Sequence, residues 1–145
     1  MNYWIFQCNP DAIGKNVDIE TAIRDRHPFF QEWRLSQYKD EIKKGDKAII
    51  WVTGKNARMV ALADITSNRH PKMQNTLWNA FNKTGERLKN DDNEVVSIDT
   101  YSLTKSISKD KIKLTKGMEN FGAGRRATNI PLAPSEYDII LNLTQ

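Results

Sequence analysis

Cysteine is almost missing from this chain. Cys8 stands alone among 145 residues, so no disulfide can form within it, and a reducing compartment, cytoplasm or nucleus and the cytoplasm foremost, is the expected home. Long apolar runs are missing as well. No stretch approaches the roughly 20 apolar residues of a membrane span, and the opening Met1–Gln7 lacks the basic start and apolar middle of a signal peptide. Histidine is scarce: His27 and His70 each precede a proline, and neither has metal-ligand spacing with a cysteine or another histidine. There is no glycine-rich phosphate loop and no G-x-S-x-G elbow. Gly122-Ala123-Gly124 is only a fragment of the former. The acidic pair Asp91-Asp92 sits in the longest polar stretch, Asn82 to Glu94, and reads as a solvated tip rather than an acid/base site. These absences leave no visible triad, metal centre or cofactor loop. The expectation is a protein without a catalytic centre, metal or cofactor, and without a membrane partner.

What is present is a globular composition. The hydrophobic fraction is 39%, aromatics make up 9%, and there are four tryptophans. No repeat and no Pro/Gly/Ser-rich linker divides the chain, so residues 1–145 are expected to form a single domain, a monomer, large enough for its own core. The formal net charge is +4 and the pI about 9.2, a balance that favours polyanionic partners, since neutralised phosphates release counterions.

The pattern along the chain alternates short strands with few helices. Tyr3 to Cys8 predicts a strand ended by the turn signal Asn9-Pro10. Asp18 is placed to cap a short helix through Ile23. Gln37 to Lys44 predicts a second short helix, with Gly45 at its left-handed end. Ala48 to Val52 is too short for an ordinary helix and reads as a strand buried on both faces. Met59 to Thr66 follows as its hairpin partner, then a strand over Glu94 to Leu103, a weaker one over Lys111 to Leu114, and a closing helix over Pro134 to Leu143. This is an α/β (α+β) pattern with a mostly antiparallel curved sheet and peripheral helices.

Two clusters carry chemistry. Trp33 lies in Phe29–Arg34, which reads as irregular and flanked by charge, and Tyr38 follows in the next segment; flat rings beside cations suit base stacking. Trp4 and Trp51 suit a core as well as a pocket. The second cluster runs from Asn120 to Asn129 and offers Arg125 and Arg126, backbone donors and small side chains suited to phosphate. A solvated basic loop is its alternative reading.

These residues resemble the EVE domains of the PUA-like superfamily, related to YTH and ASCH domains. Tyr3-Trp4-Ile5-Phe6-Gln7-Cys8-Asn9-Pro10 looks like that family's first strand and turn. Trp33-Arg34-Leu35-Ser36-Gln37-Tyr38 with Ile42 and Lys44-Gly45-Asp46 resembles its tryptophan-to-tyrosine segment. Ile50-Trp51-Val52-Thr53-Gly54 resembles its W-x-T-G strand, Ala61-Leu62-Ala63 fits the strand that follows, and Thr128-Asn129-Ile130-Pro131-Leu132 with Pro134-Ser135-Glu136-Tyr137 its closure into a last helix. The match runs nearly end to end. Two departures stand out: Asn56-Ala57-Arg58-Met59 replaces a glycine-rich turn, and Arg125-Arg126 a less charged stretch.

The resemblance implies a PUA-like pseudo-barrel that reads a modified base, methylated or hydroxymethylated cytosine in DNA foremost, flipped into an aromatic pocket. It implies a cage of Trp33, Tyr38 and Trp51, lined by Cys8, Asn9, Pro10, Thr53, Gly54 and Asn129. Lys55, Arg125 and Arg126 are the expected phosphate contacts. It also implies a nuclease or motor partner in restriction or defence. Three alternatives stay open: a reader of modified RNA, a nuclease or hydrolase, and a protein-interaction domain.

Overall fold

The computed structural model describes residues 1–11, 13, 14, 18–72 and 94–145. The Asn82–Glu94 stretch, Glu94 apart, and the Asp91-Asp92 pair lie outside them. Among the described residues the chain forms a mixed α+β domain around one strongly curled, open sheet.

Seven strands build it: β1 (Tyr3–Cys8), β2 (Glu32–Arg34), β3 (Lys47–Val52), β4 (Arg58–Ile65), β5 (His70–Pro71), β6 (Glu94–Ser108) and β7 (Asn129–Leu132). Their order is β2-β6-β4-β3-β1-β7, with β5 also on β6. All pairings are antiparallel except β1 with β3. That parallel pair needs a long crossover, which carries helix α1 (Ile19–Arg24), a 3₁₀ turn at Pro28–Phe30 and strand β2. Asp18 caps α1 through its side chain, as its position predicts. Helices α2 (Lys109–Lys113) and α3 (Pro134–Leu143) complete the described elements.

Strand periodicity splits the core in two. Trp4, Phe6, Ala48, Ile50 and Val52 point to one face, where Trp33, Phe30 and Ile23 cover them. Ile5, Ile49, Trp51 and Met59 point to the other, under Phe121, Tyr137 and Ile140. The β3 strand is therefore buried on both faces, as its unbroken apolar run predicts. At its start Asp46 is buried, and its carboxylate accepts three hydrogen bonds, from the Asn2 N–H, the Trp4 Nε1–H and the Lys43 N–H, each at 3.0 Å.

Three expectations are corrected. Gln37–Lys44 is a chain of turns rather than a helix. Lys111–Leu114 is not a strand, since Ser108 caps α2 over most of it. The Phe29–Arg34 segment is not irregular: it is the 3₁₀ turn followed by β2, which pairs with β6 through Trp33 and Val96.

The registers bring Cys8 opposite Val52, Val52 opposite Arg58, and Arg58 opposite Ser108. Phe6 faces Asn129, the first residue of β7. The connections after β1, β3 and β6 and before β7 thus gather at one end of the sheet.

Candidate nucleic-acid interface

That end holds most of the residues marked by the sequence. Cys8 is half-buried against the first core. Its carbonyl accepts hydrogen bonds from the Thr53 N–H at 2.9 Å and the Thr53 hydroxyl at 3.2 Å. Burial pushes the Cys8 thiol up to about 12, against a smaller opposing pull from the Arg58 guanidinium. At neutral pH it is a protonated packing group, not a nucleophile. Asn9 and Pro10 are exposed, and the Asn9 side-chain oxygen Oδ1 accepts from the Asp11 N–H at 2.8 Å, closing a tight turn. Gly54 takes φ +106°, a conformation that excludes most side chains, and a Cβ there would come within 3.6 Å of Pro10. The β1 turn and the β3–β4 turn therefore touch, with Lys55 exposed beside them.

A second group is tied together by two amides. The Asn129 side chain, fully buried, accepts from the N–H groups of Ser36 (2.8 Å) and Gln37 (3.3 Å) and donates to the Arg34 carbonyl (3.1 Å). The Gln37 side-chain oxygen accepts in return from the N–H groups of Thr128 (3.0 Å) and Asn129 (3.1 Å). This reciprocal clamp fastens residues 34–37 to β7. It also occupies the Asn129 amide with the backbone, so this side chain holds the wall of the site in place.

Beyond the clamp, Tyr38 has φ +54°, a left-handed conformation rare for an aromatic residue. The residue is 46% exposed, and its ring lies 5.5 Å from Trp4 at 45°. Trp33 is only 5% exposed and stacks on Phe6, centroids 5.7 Å apart and planes at 15°.

Trp51 is not brought to Trp33 and Tyr38. It is fully buried on the other side of the sheet, edge-on to Phe121 at 5.3 Å. The expected three-sided cage is corrected on this point, for an elementary reason. Trp51 and Ile50 are adjacent in a strand, so their side chains point to opposite faces, and Ile50 takes the face of Trp33.

The arginine loop is anchored by a residue the sequence did not single out. Gln7 is buried; its amide donates to the carbonyls of Arg125 (2.8 Å) and Ala127 (2.6 Å) and accepts from the Gly124 N–H. The backbone of 124–127 is thus held, while Arg125 and Arg126 stay exposed. A glutamine in an otherwise apolar β1 was the available signal, since a buried amide requires partners. Among the described residues no group of three or more His, Cys, Asp or Glu could hold a metal ion. None of the described helices is long and apolar enough to cross a membrane.

A family model described as the EVE domain matches residues 2–143. No curated protein matches the chain. Solved structures do. A hypothetical protein from Leishmania major is 15% identical, with 99% of this chain and 94% of that one covered and a TM-score of 0.70. The human THYN1 protein in complex with 5-methylcytosine containing DNA is 19% identical, with 100% and 98% covered and a TM-score of 0.65. The YTH domain of the Zygosaccharomyces rouxii MRB1 protein, in complex with N6-methyladenosine RNA, is 9% identical, with 99% and 87% covered and a TM-score of 0.58. At these identities the likeness is one of fold.

Proposed function

Because this chain belongs to the EVE domain family, we propose that it is a non-catalytic reader that takes one modified nucleic-acid base out of its stack, methylated or hydroxymethylated cytosine in DNA foremost. The observation that carries this reading is Tyr38: an exposed aromatic ring held in a strained backbone conformation, on a segment bolted to the sheet by Asn129 and Gln37. Strain of this kind costs about 1–3 kcal/mol and persists where the surroundings over-determine it, often at ligand sites. The human relative of the same fold in complex with 5-methylcytosine DNA supports cytosine in DNA as the first ligand to test.

In this reading the flipped base stacks on Tyr38 and against the edge of Trp33. Cys8, Asn9, Pro10, Thr53 and Gly54 form the rim, and Lys55, Arg125 and Arg126 hold phosphates. Trp51 stiffens the sheet from behind. Extruding a base from a duplex costs a few kcal/mol, and one aromatic stack returns about 1–3 kcal/mol. Burying the added methyl contributes only about 0.8 kcal/mol. Discrimination beyond roughly fourfold therefore needs a dry, shaped wall, which the Asn129–Gln37 clamp supplies. A reader that makes no bonds acts through an effector, and a nuclease or motor protein is the partner we propose.

The test is binding of matched DNA and RNA oligonucleotides carrying cytosine, 5-methylcytosine, 5-hydroxymethylcytosine, adenine or N6-methyladenine, to the wild type and to Tyr38→Ala. A preference for one modified base that disappears in the variant supports the reading. Binding that ignores modification and survives the substitution sinks it. A preference confined to RNA selects the second reading, an RNA reader, which the likeness to a YTH domain with N6-methyladenosine RNA favours.

A further inference from the structure

The same end of the sheet carries a groove of about 800 Å³ whose lining, Gly54 and Lys55 apart, the base site does not use. It is lined by the β4 start at Ala57 and Arg58 and by Leu143 and Thr144 at the end of α3. A distortion in β6 lines it as well. Along β4, Met59 and Ala61 are two residues apart, but their partners on β6 are Ile107 and Ser102. Residues 103–106 therefore stand opposite the single residue Val60 and must arch out of the ladder. Bulges of this sort re-aim side chains beside functional sites. Here the bulge puts Lys105 on the groove wall.

The lining is strongly cationic. Lys55, Arg58, Lys105, Lys109 and Lys111 face one acidic side chain, Asp110. Arg58 is already paired with Glu20. None of the four lysines forms an ion pair among the described residues. The groove also runs into the arginine loop, because a Cβ on Gly124 would lie 3.5 Å from the Lys109 ammonium. At its other end Gly54 meets Pro10, at the rim of the base site.

We propose that this groove holds the backbone phosphates of the strand that flanks the read nucleotide, through Lys105, Lys109 and Lys111 in addition to Lys55. The inference rests on the base-reader function for the strand's starting point, but not for the groove's charge. Cations spaced along an open, serine-lined channel suit a string of phosphates, and they carry no information about base identity. Lys105, Lys109 and Lys111 then set affinity and its salt dependence, while Tyr38 sets preference.

The experiment measures affinity for modified and unmodified oligonucleotides between 50 and 200 mM salt, values chosen at roughly the range where phosphate contacts dominate. The wild type is compared with Lys105→Ala/Lys109→Ala, with the exposed-site variant Lys105→Glu, and with Tyr38→Ala. The double variant should lose about tenfold or more in affinity for both oligonucleotides at low salt. Its slope of log K against log salt should flatten by about 1.8, at roughly 0.9 per phosphate contact, with the ratio between the two ligands kept. Removing flanking nucleotides should cost the wild type the same factor and the double variant much less, since the two changes delete one contact. Lys105→Glu guards against a folding defect, because that side chain is solvent-exposed. An unchanged slope in both lysine variants overturns the proposal, as does loss of preference without loss of affinity, or a wild type with no nucleic-acid affinity. Steep, modification-blind binding by the wild type that the lysine variants flatten would sink the base reader and leave the groove standing.

Discussion

The two faces of the sheet use the same residue types to opposite ends. Behind it, Trp51 is fully enclosed, and its indole N–H has no hydrogen-bond partner among the described residues. Tyr3 and Tyr137 stack on the same face, centroids 4.4 Å apart. In front, three aromatics near the candidate site are tied to something polar or strained. The Trp4 N–H is held by Asp46, Trp33 hangs from the segment clamped by Asn129, and Tyr38 is locked in left-handed backbone. The rear face is packed mainly by volume, and the polar fastening it carries, the buried Gln7 amide, holds the backbone of 124–127 rather than a ring. The front face carries polar fastenings that volume packing does not need, and such fastenings fix the position of a surface.

Truncating a ring on each side tests that contrast, with the largest effect expected behind. Trp51→Ala should cost about 3–5 kcal/mol, the usual penalty for emptying a large aromatic site, read as a lowered denaturant midpoint. Trp51→Phe should cost much less, because it also removes the orphaned N–H. If Trp51→Ala left stability intact but abolished base preference, the division of labour between the faces would be wrong. On the front, Asn129→Ala leaves the half-buried Ser36 and Gln37 N–H groups without their acceptor. A loss of about 2 kcal/mol is expected, together with loss of preference for the modified base as the Tyr38 segment comes free. Retained preference would show that the clamp is not what shapes the site.

The rear face was largely legible in the sequence and the front was not, for a physical reason. The strands β1, β3 and β4 follow from apolar runs and alternation, and the closing helix from Pro134. Such patterns are local. The turns over 37–46 look helical until Asp46 is known to be bonded to Asn2 and Trp4, some forty positions away, and Tyr38 to be left-handed. Trp33 reads as loop because its strand partner Val96 is distant in the chain. The β7 strand hides behind Pro131, which an edge strand tolerates. Asn129 and Gln7 were the hardest: a glutamine in an apolar strand signals that it needs partners, and the resemblance marks Asn129, but nothing local says which distant backbone either amide satisfies. The family resemblance supplied the positions in order, but the choice of face for Trp51 came only with the strand's geometry.

Tyr38 allows a sharper test, because stability and binding should move in opposite directions. Glycine relieves a left-handed residue of about 1 kcal/mol, so Tyr38→Gly should melt at or slightly above the wild type. The same change removes the exposed ring and should weaken modified-base binding by about 1–3 kcal/mol. Calorimetry and titration on one sample would check both. A variant less stable than wild type would mean that the ring is packing for Trp4 and nothing more.

The smallest effect belongs to Cys8, which sits at the mouth of the candidate site yet is chemically quiet. Its thiol is raised to about 12 by burial, so the folded state favours the protonated form. That contribution to stability is whole below the ordinary thiol range near 9 and is lost as pH climbs through about 12. Between pH 6 and 8, therefore, Cys8 should neither titrate nor react: alkylation by iodoacetamide should follow unfolding rather than thiolate content, and Cys8→Ala should leave nucleic-acid affinity within about twofold. Fast alkylation of the folded protein at pH 7, blocked by a modified oligonucleotide, would place a reactive thiolate in contact with the ligand, and the rim would then hold a chemical group that the buried thiol in this structure is not.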